Sequence, residues 1–499
     1  MKLTSPAGTA LIIAALTALR VLHLYHWPFD LYPDEAQYWV WAQDFAFGYF
    51  SKPPMVAWII AAATAMCGDG VACVKLGMPL VHFVTAMLVY GIGARLFEAR
   101  VGFFSALIFA TLPGIFLSAT VVSTDPPLLM FWALALYGLV RATQDGGWRW
   151  WLLCGVGLGL GLLSKYAMAY FVISGLVYIL LAPYRSPANP PSRALGAVAA
   201  LVLAAAIYVP NLAWNATNGF VSYAHTRANA SLGGALYHPD KLFEFVASQF
   251  AVFGPILFAV LLFVAVRPWD WARNPPMALL ASFALPSLVI VIVLSFISRA
   301  NANWAAPAYI AATVMVVHWL LARGLRKLIT ASVALHVLAA GAVFAFAGWQ
   351  DGRAMAVSAR YDGFARIRGW NRLGAEISRI GAQYPDAVIL SDDRKLMAAL
   401  LYYVSPRPWT AVKWDPDGRV DDHFDLTRPL IETAASHAGE DRRAFLLVSP
   451  RQNPEGVLSR FATSSFVASL RVPIAAGRER VTHVFYLKGF LGYKTARRP

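Results

Sequence analysis

Met277–Ile297 reads MALLASFALPSLVIVIVLSFI, a run without one charged residue. A helix needs about 20 predominantly apolar residues to cross a bilayer core, and this run has that length. Further candidates lie near 8–25, 74–94, 101–120, 126–141, 150–164, 166–182, 194–212, 246–266, 305–322 and 328–348. The composition agrees. Hydrophobic residues make up 58% of the 499 residues, charged residues 14%, and the mean hydropathy is +0.54. Soluble chains carry roughly 25% charged residues. A chain this long has room for several soluble domains, but it lacks the polar surface to cover them, so most of it belongs in lipid. Disorder, a collagen repeat and a disulfide scaffold are excluded too, the last by a count of three cysteines. The expected fold class is a multi-pass α-helical membrane protein with about eleven transmembrane helices. No small-residue cleavage site follows 8–25, which reads as a retained helix and not a signal peptide.

The net charge is +15 and the pI about 9.8. Nucleic acid is one partner for such a chain, but in a membrane protein Lys and Arg collect in cytoplasmic loops, and we expect no nucleic acid. Arg95 and Arg100, Arg141 and Arg149, Arg185 and Arg193, Arg267 and Arg273, and Arg323, Arg326 and Lys327 fall in alternate loops on the side of Lys2. That side is therefore expected to be cytoplasmic. The loops 26–73 and 213–245 and everything after about 350 then lie outside, in the periplasm of a Gram-negative bacterium or in a lumen. Residues 350–499 hold 23 Lys and Arg and 16 Asp and Glu, about a quarter of the segment, as a soluble domain does. The runs 387–390, 444–448 and 481–487 read as strands, and 370–383 and 394–404 as helices. The expected organisation is a membrane domain over 1–349 and a periplasmic mixed α/β domain over 350–499.

The first outer loop carries DLYPDEAQYWVWAQDFAFGYFSKPPMVAW, Asp30 to Trp58. Its aromatics Trp39, Trp41, Phe45, Phe47 and Trp58 suit short helices lying in the membrane interface. The acids do not fit a pure aromatic belt. Asp34 and Glu35 stand just outside the first span, where ionisable groups are costly unless paired or solvated; Asp34 also suits the N-cap of a helix beginning near Ala36. Lys52 precedes Pro53 and Pro54, which fix an extended turn. It reads either as a snorkelling lysine or as an anchor for a lipid phosphate. Asp125, in SATVVSTDPPLL, has the same two readings: a helix cap with proline in the first turn, or a functional acid. The combination favours function, because two acidic sites and a lysine fall at the outer ends of apolar spans.

With these residues in view, the chain resembles membrane glycosyltransferases of the GT-C fold that use a polyprenyl-phosphate-linked sugar. The likeness is to the bacterial branch related to protein O-mannosyltransferases, which includes lipid A aminoarabinose and galacturonic acid transferases. It rests on Tyr32-Pro33-Asp34-Glu35-Ala36 with Tyr38-Trp39, Gly48-Tyr49-Phe50-Ser51-Lys52-Pro53-Pro54, Thr124-Asp125-Pro126-Pro127-Leu128, Gly157–Lys165 (GLGLGLLSK), and Asn303-Trp304-Ala305-Ala306-Pro307-Ala308-Tyr309. The resemblance implies inverting transfer from a polyprenyl phosphosugar donor to a lipid or glycan acceptor, lipid A or lipopolysaccharide before protein, on the outer face of the bacterial inner membrane. It also implies a catalytic or organising role for Asp34 with Glu35, a second acidic position at Asp125, a phosphate contact at Lys52, and substrate contacts at Tyr32, Tyr49 and Asn303. Aminoarabinose transferases have Glu before the lysine, a residue linked to metal contact; here Ser51 stands there. That leaves a divalent metal open, with no cofactor certain, and disfavours aminoarabinose as the donor sugar.

The chemistry needs such groups. An acceptor hydroxyl must lose its proton to a carboxylate within reach. The lipid phosphate, departing with growing charge, is stabilised by fixed cations, more strongly where the dielectric is low. After Lys52 the cationic candidates are Lys165, Arg299 in SRANANW, and His225 and Arg227 in the loop 213–245; each also reads as a solvated loop residue. That loop, with Gly219, Gly233 and Gly234, is long enough for a mobile lid. The glycines of GVGLGLGLL sit in an apolar helix and suit close helix packing better than a nucleotide loop. Cys67 and Cys73 are able to form a disulfide. A transporter of lipid-linked sugars is the second reading. It calls for repeated halves and broken helices at the bilayer midplane, whereas no repeat is visible and the acids cluster at outer ends. A membrane-anchored binding protein needs far fewer spans.

Overall fold

The computed structural model describes residues 2–181, 190–230, 236–352, 362–433, 436 and 441–493. The chain forms two compact units: Met1–His26, Ala46–Gly48 and Lys52–Val343 make the first, and Trp27–Phe45, Tyr49–Ser51 and Phe344–Pro499 the second.

The first unit is helical, and helix occupies each of the eleven apolar segments. Pro6–Tyr25, Val71–Leu96, Asp125–Asp145, Arg193–Thr217, Pro275–Ile297 and Arg326–Trp349 are individually long and apolar enough to cross a membrane. Pro239–Val252 and Pro255–Ala265 form a pair bent by 118°, a seventh candidate if taken as one span. Ala99–Thr111, Tyr166–Leu180 and Ala308–Ala322 are apolar but shorter. A 13-residue helix such as Ala99–Thr111 rises only about 20 Å against a hydrocarbon core of about 30 Å. Against the eleven expected, length and composition support six or seven crossings among the described residues.

Local chemistry sets the boundaries. The Ser5 hydroxyl accepts from the Gly8 N–H at 3.1 Å ahead of Pro6, and the Asn274 side chain accepts from Met277 N–H at 3.3 Å ahead of Pro275. Both satisfy first-turn donors that have no helical partner. The bend at residue 254 needs glycine: its φ is +86°, and a Cβ there would lie 2.1 Å from His336 Nε2. Every residue from Ala308 to Val317 is buried, as befits a helix apolar on all sides. The glycines of GVGLGLGLL pack as expected. A Cβ on Gly155 would meet the Ala200 carbonyl at 2.7 Å, and one on Gly157 the Ala135 nitrogen at 2.6 Å. Cys67 and Cys73 are joined in a disulfide, and Cys154 is a buried thiol.

The region read as the loop 213–245 is mostly helix. Pro190–Thr217 runs into it, a turn at Gly219 (φ +64°) leads into Val221–Ala230, and Pro239–Val252 follows. The turn at Gly219 spans only three residues between helices. Gly233 and Gly234 lie outside the described residues, as does most of the Pro-rich stretch 183–192.

The second unit is built on a five-stranded sheet in the order β2-β1-β3-β5-β4, where β1 is Ala387–Ser391, β2 Val412–Lys413, β3 Ala444–Ser449, β4 Phe461–Ala475 and β5 Arg478–Phe490. β2, β1 and β3 are parallel; β3, β5 and β4 are antiparallel. Helices Trp370–Gly381 and Arg394–Tyr403 stand where expected. β4 was not legible. It is an edge strand whose first half, residues 462–466, is Ser- and Thr-rich and exposed, so an apolar pattern begins only in its second half, where Val472 and Ile474 are buried. The two-residue turn Ala476-Gly477, with Gly477 at φ +68°, joins it to β5.

The aromatics of Trp27–Phe45 are not a free interfacial belt. Trp39 and Trp41 are 0% and 1% exposed. Trp39 stacks on Trp409 and meets Tyr402 edge-on, and Phe29 stacks on Phe364 at 4.6 Å. The Asp30 carboxylate accepts from the Trp370 N–H at 2.8 Å, closing the N-terminus of helix Trp370–Gly381. Phe45, by contrast, is exposed.

Candidate functional site

In the helical unit, Asp125 opens the helix Asp125–Asp145, with Pro126 and Pro127 in the first turn where no N–H is missed. It is not a cap. Its Oδ1 accepts from Lys165 Nζ at 2.7 Å, and its Oδ2 from Asn303 Nδ2 at 2.6 Å. Lys165 sits in the turn after helix Trp148–Leu162, its N–H donated to Gly161 O at 2.9 Å. Asn303 lies in the 3-10 turn Ala302–Ala305. That turn is held by Gln249, whose Nε2 donates to Ala302 O at 3.1 Å while its Oε1 accepts from the Tyr309 hydroxyl at 2.6 Å. Three of the stretches singled out in the sequence, TDPP, LLSK and NWAAPAY, thus meet on one carboxylate. Asp125 is 6% exposed, and a carboxylate so placed persists only when paired and hydrogen-bonded.

Three residues after Lys52, the Met55 N–H donates to Leu163 O at 3.0 Å, two residues before Lys165. The segment ahead of it is pinned by Asn211 Nδ2 on Phe47 O at 2.6 Å and by Gly48, where a Cβ would lie 2.4 Å from the Trp214 ring. Phe47 and Trp58 meet edge-on. The Ser298 hydroxyl donates to Ala230 O at 2.7 Å, tying the segment of Arg299 to the end of the helix bearing His225 and Arg227. Arg299 and Arg227 are exposed, and His225 is half-buried with its ring nitrogen 3.2 Å from Asn229 Nδ2.

In the second unit, helix Pro33–Ala42 begins three residues earlier than the capping reading of Asp34 requires. Glu35, expected among the catalytic acids, accepts the Tyr32 N–H at 2.8 Å and closes that helix's own N-terminus. Asp34 stays half-exposed, its Oδ1 accepting from Arg394 Nη1 at 2.8 Å. Tyr49, expected to touch substrate, is 3% exposed; its ring stacks parallel on Trp41 and its hydroxyl lies 2.7 Å from Asp44 O and 2.9 Å from Trp41 O. Tyr49 is thus inside the packing of the second unit, and Tyr32 at the start of its helix.

Two features escaped the sequence reading. Arg394 is one, since nothing in an arginine opening a helix announces a partner some 360 residues away. The other is a cavity of about 500 Å³ at the carboxyl ends of β1 and β2, lined by Asp392, Lys413, Asp415, Asp421, Arg451 and others. Burial pulls the Lys413 ammonium down, but Asp422 and Asp425, each 3.1 Å away, hold it above its ordinary value. Burial lifts the Asp392, Asp415 and Asp425 carboxyls. Among the described residues no three His, Cys, Asp or Glu side chains are placed to hold a metal ion, and Ser51 offers only a hydroxyl.

Residues 51–214 match the family described as dolichyl-phosphate-mannose-protein mannosyltransferase. The chain is 30% identical over 426 residues to the lipid A galacturonosyltransferase RgtD of Rhizobium johnstonii, covering 84% of this chain and 88% of that protein. It is 27% identical over 260 residues to the lipopolysaccharide core galacturonosyltransferase RgtA of the same organism, covering 50% and 51%. The fold matches crystal structures of ArnT from Cupriavidus metallidurans. In the apo state the TM-score is 0.65 at 16% identity over 96% of this chain and 98% of that one. With undecaprenyl phosphate bound it is 0.64 at 14% identity over 97% and 98%.

Proposed function

Since the chain belongs to the mannosyltransferase-like family of GT-C membrane glycosyltransferases that includes RgtD, we propose that it moves a sugar from undecaprenyl phosphate to lipid A or the lipopolysaccharide core, by inversion, on the periplasmic face of the inner membrane. It is a multi-pass membrane glycosyltransferase dependent on a polyprenyl-phosphate sugar. The observation that carries the reading is the similarity to RgtD, which runs through 84% of the chain. It also makes a uronic acid the first donor sugar to test, in keeping with Ser51 in place of the glutamate of aminoarabinose transferases.

Asp34 takes the proton of the acceptor hydroxyl as that oxygen bonds to the anomeric carbon. The bond from that carbon to the phosphate oxygen breaks, and its electron pair leaves on the lipid phosphate, which passes from one negative charge to two. Lys52 and Arg299 stabilise the added charge. Lys165 is committed to Asp125 in this structure, so the two act first as the brace that fixes the LLSK and NWAAPAY turns. Asp34 later releases its proton to water. The test is purified protein in detergent with a uronic acid on undecaprenyl phosphate and with lipid A, read by mass spectrometry. A gain of one sugar residue on lipid A, with no second compartment present, supports a transferase; carrier-lipid movement across vesicles without any transfer supports the transporter instead.

A further inference from the structure

We propose that Arg394 is the positioning residue for Asp34, an inference that rests on the reading of Asp34 as the base. The guanidinium Nη1 has two N–H donors. In the structure both are used: one on Asp34 Oδ1 at 2.8 Å and one on Gln37 Oε1 at 2.6 Å. Asp34 and Gln37 are three apart on helix Pro33–Ala42 and so share a face. Gln37 is 2% exposed, so one end of the grip is buried and the other holds a half-exposed carboxylate.

The arginine is itself well rooted. It is the first residue of helix Arg394–Tyr403, whose N-cap Asp393 accepts from the Leu396 N–H at 2.8 Å. That helix packs against Pro33–Ala42, with Tyr402 edge-on to Trp39. Among the described residues no donor meets Asp34 Oδ2. One oxygen is tethered and the other is left to accept a proton, the arrangement a general base needs to meet a hydroxyl in a defined orientation.

Stability does not account for the contact. The two side chains are 30% and 40% exposed, and exposed ion pairs contribute little to folding. What the pair does is set direction. The residues after Phe344 thereby reach the chemistry through one side chain, and the C-terminal part of this enzyme is a participant in turnover.

The experiment uses the full-length protein in detergent with undecaprenyl-phosphate sugar and lipid A. In Arg394→Ala, kcat falls about 10- to 100-fold, while KM for the donor stays within about twofold, because the donor phosphate meets other residues. Arg394→Lys, or millimolar guanidinium added to Arg394→Ala, recovers part of kcat. Wild-type kcat in Arg394→Ala overturns the inference, as does a loss that neither lysine nor guanidinium recovers. If Arg394→Ala does not fold, Arg394→Gln takes its place under the same criteria. Asp34→Asn is measured alongside. An active Asp34→Asn removes the base reading itself; an inactive one beside a fully active Arg394→Ala removes only the role of Arg394.

Discussion

Replacing Lys165 with methionine strands the Asp125 carboxylate in a nearly dry setting, and the cost can be worked from the geometry. The ammonium lies 2.7 Å from Oδ1, and the two side chains are 19% and 9% exposed. At an effective dielectric near 20 the bare attraction is about 6 kcal/mol. Desolvation of both ions cancels much of that, and breaking a buried pair by removing one partner costs about 3–5 kcal/mol. The Asn303 amide still donates to Oδ2 at 2.6 Å, which places the expectation at the low end, about 3 kcal/mol. Chemical unfolding of the purified protein in micelles reads the value for Lys165→Met, Asp125→Asn and the double variant. If the pair is the brace described here, the double variant is more stable than the sum of the single losses by about 1.5–3 kcal/mol, yet its turnover does not return, because the LLSK and NWAAPAY turns have lost their common anchor. A coupling below about 0.5 kcal/mol refutes the brace, and wild-type turnover in the double variant refutes its link to catalysis.

Asp34→Asn is expected to lower transfer at least a hundredfold, on the order of what a positioned base supplies, with folding and donor binding retained; turnover and donor-binding titrations check it. Lys52→Ala is expected to raise KM for the donor more than for the acceptor, and equal shifts would remove Lys52 from the phosphate contact. His423 supplies a pH test. Burial, then the charge of Arg428, hold its imidazole at about 3, and Nδ1 has no hydrogen bond. The unfolded chain takes up that proton near the ordinary value of 6.5, so stability is full above pH 6.5 and is lost as pH falls toward 3. Between pH 6.5 and about 5 the loss is about 2 kcal/mol. In His423→Phe that part of the slope disappears; identical pH slopes for the two proteins contradict the assignment.

How much of this was legible depended on distance along the chain. Apolar length announced the helices, because crossing lipid is a local demand on about 20 consecutive residues. The strands AVIL, AFLLV and VTHVFYL showed themselves by apolar runs, while β4, exposed and Ser- and Thr-rich over its first half, did not. The motif residues Asp125, Lys165 and Asn303 were each visible, and the resemblance singled them out together; that they form one hydrogen-bonded node was not, since the node closes contacts 40 and 178 residues apart. Trp39 and Trp41 were misplaced for the same reason. An aromatic in an outer loop looks interfacial until the segment that covers it, here Tyr402, Trp409 and His423, is known.

Sequence alone therefore determined the solvent of this protein and singled out the motif residues Asp34, Lys52, Asp125, Lys165 and Asn303, because hydropathy and motif spacing act over a few turns of chain. Tertiary structure alone decided which of those groups hold one another. Pairing a buried carboxylate with Lys165 and Asn303, or tethering Asp34 with Arg394, requires bringing remote helix ends within about 3 Å, and no local pattern encodes that closure.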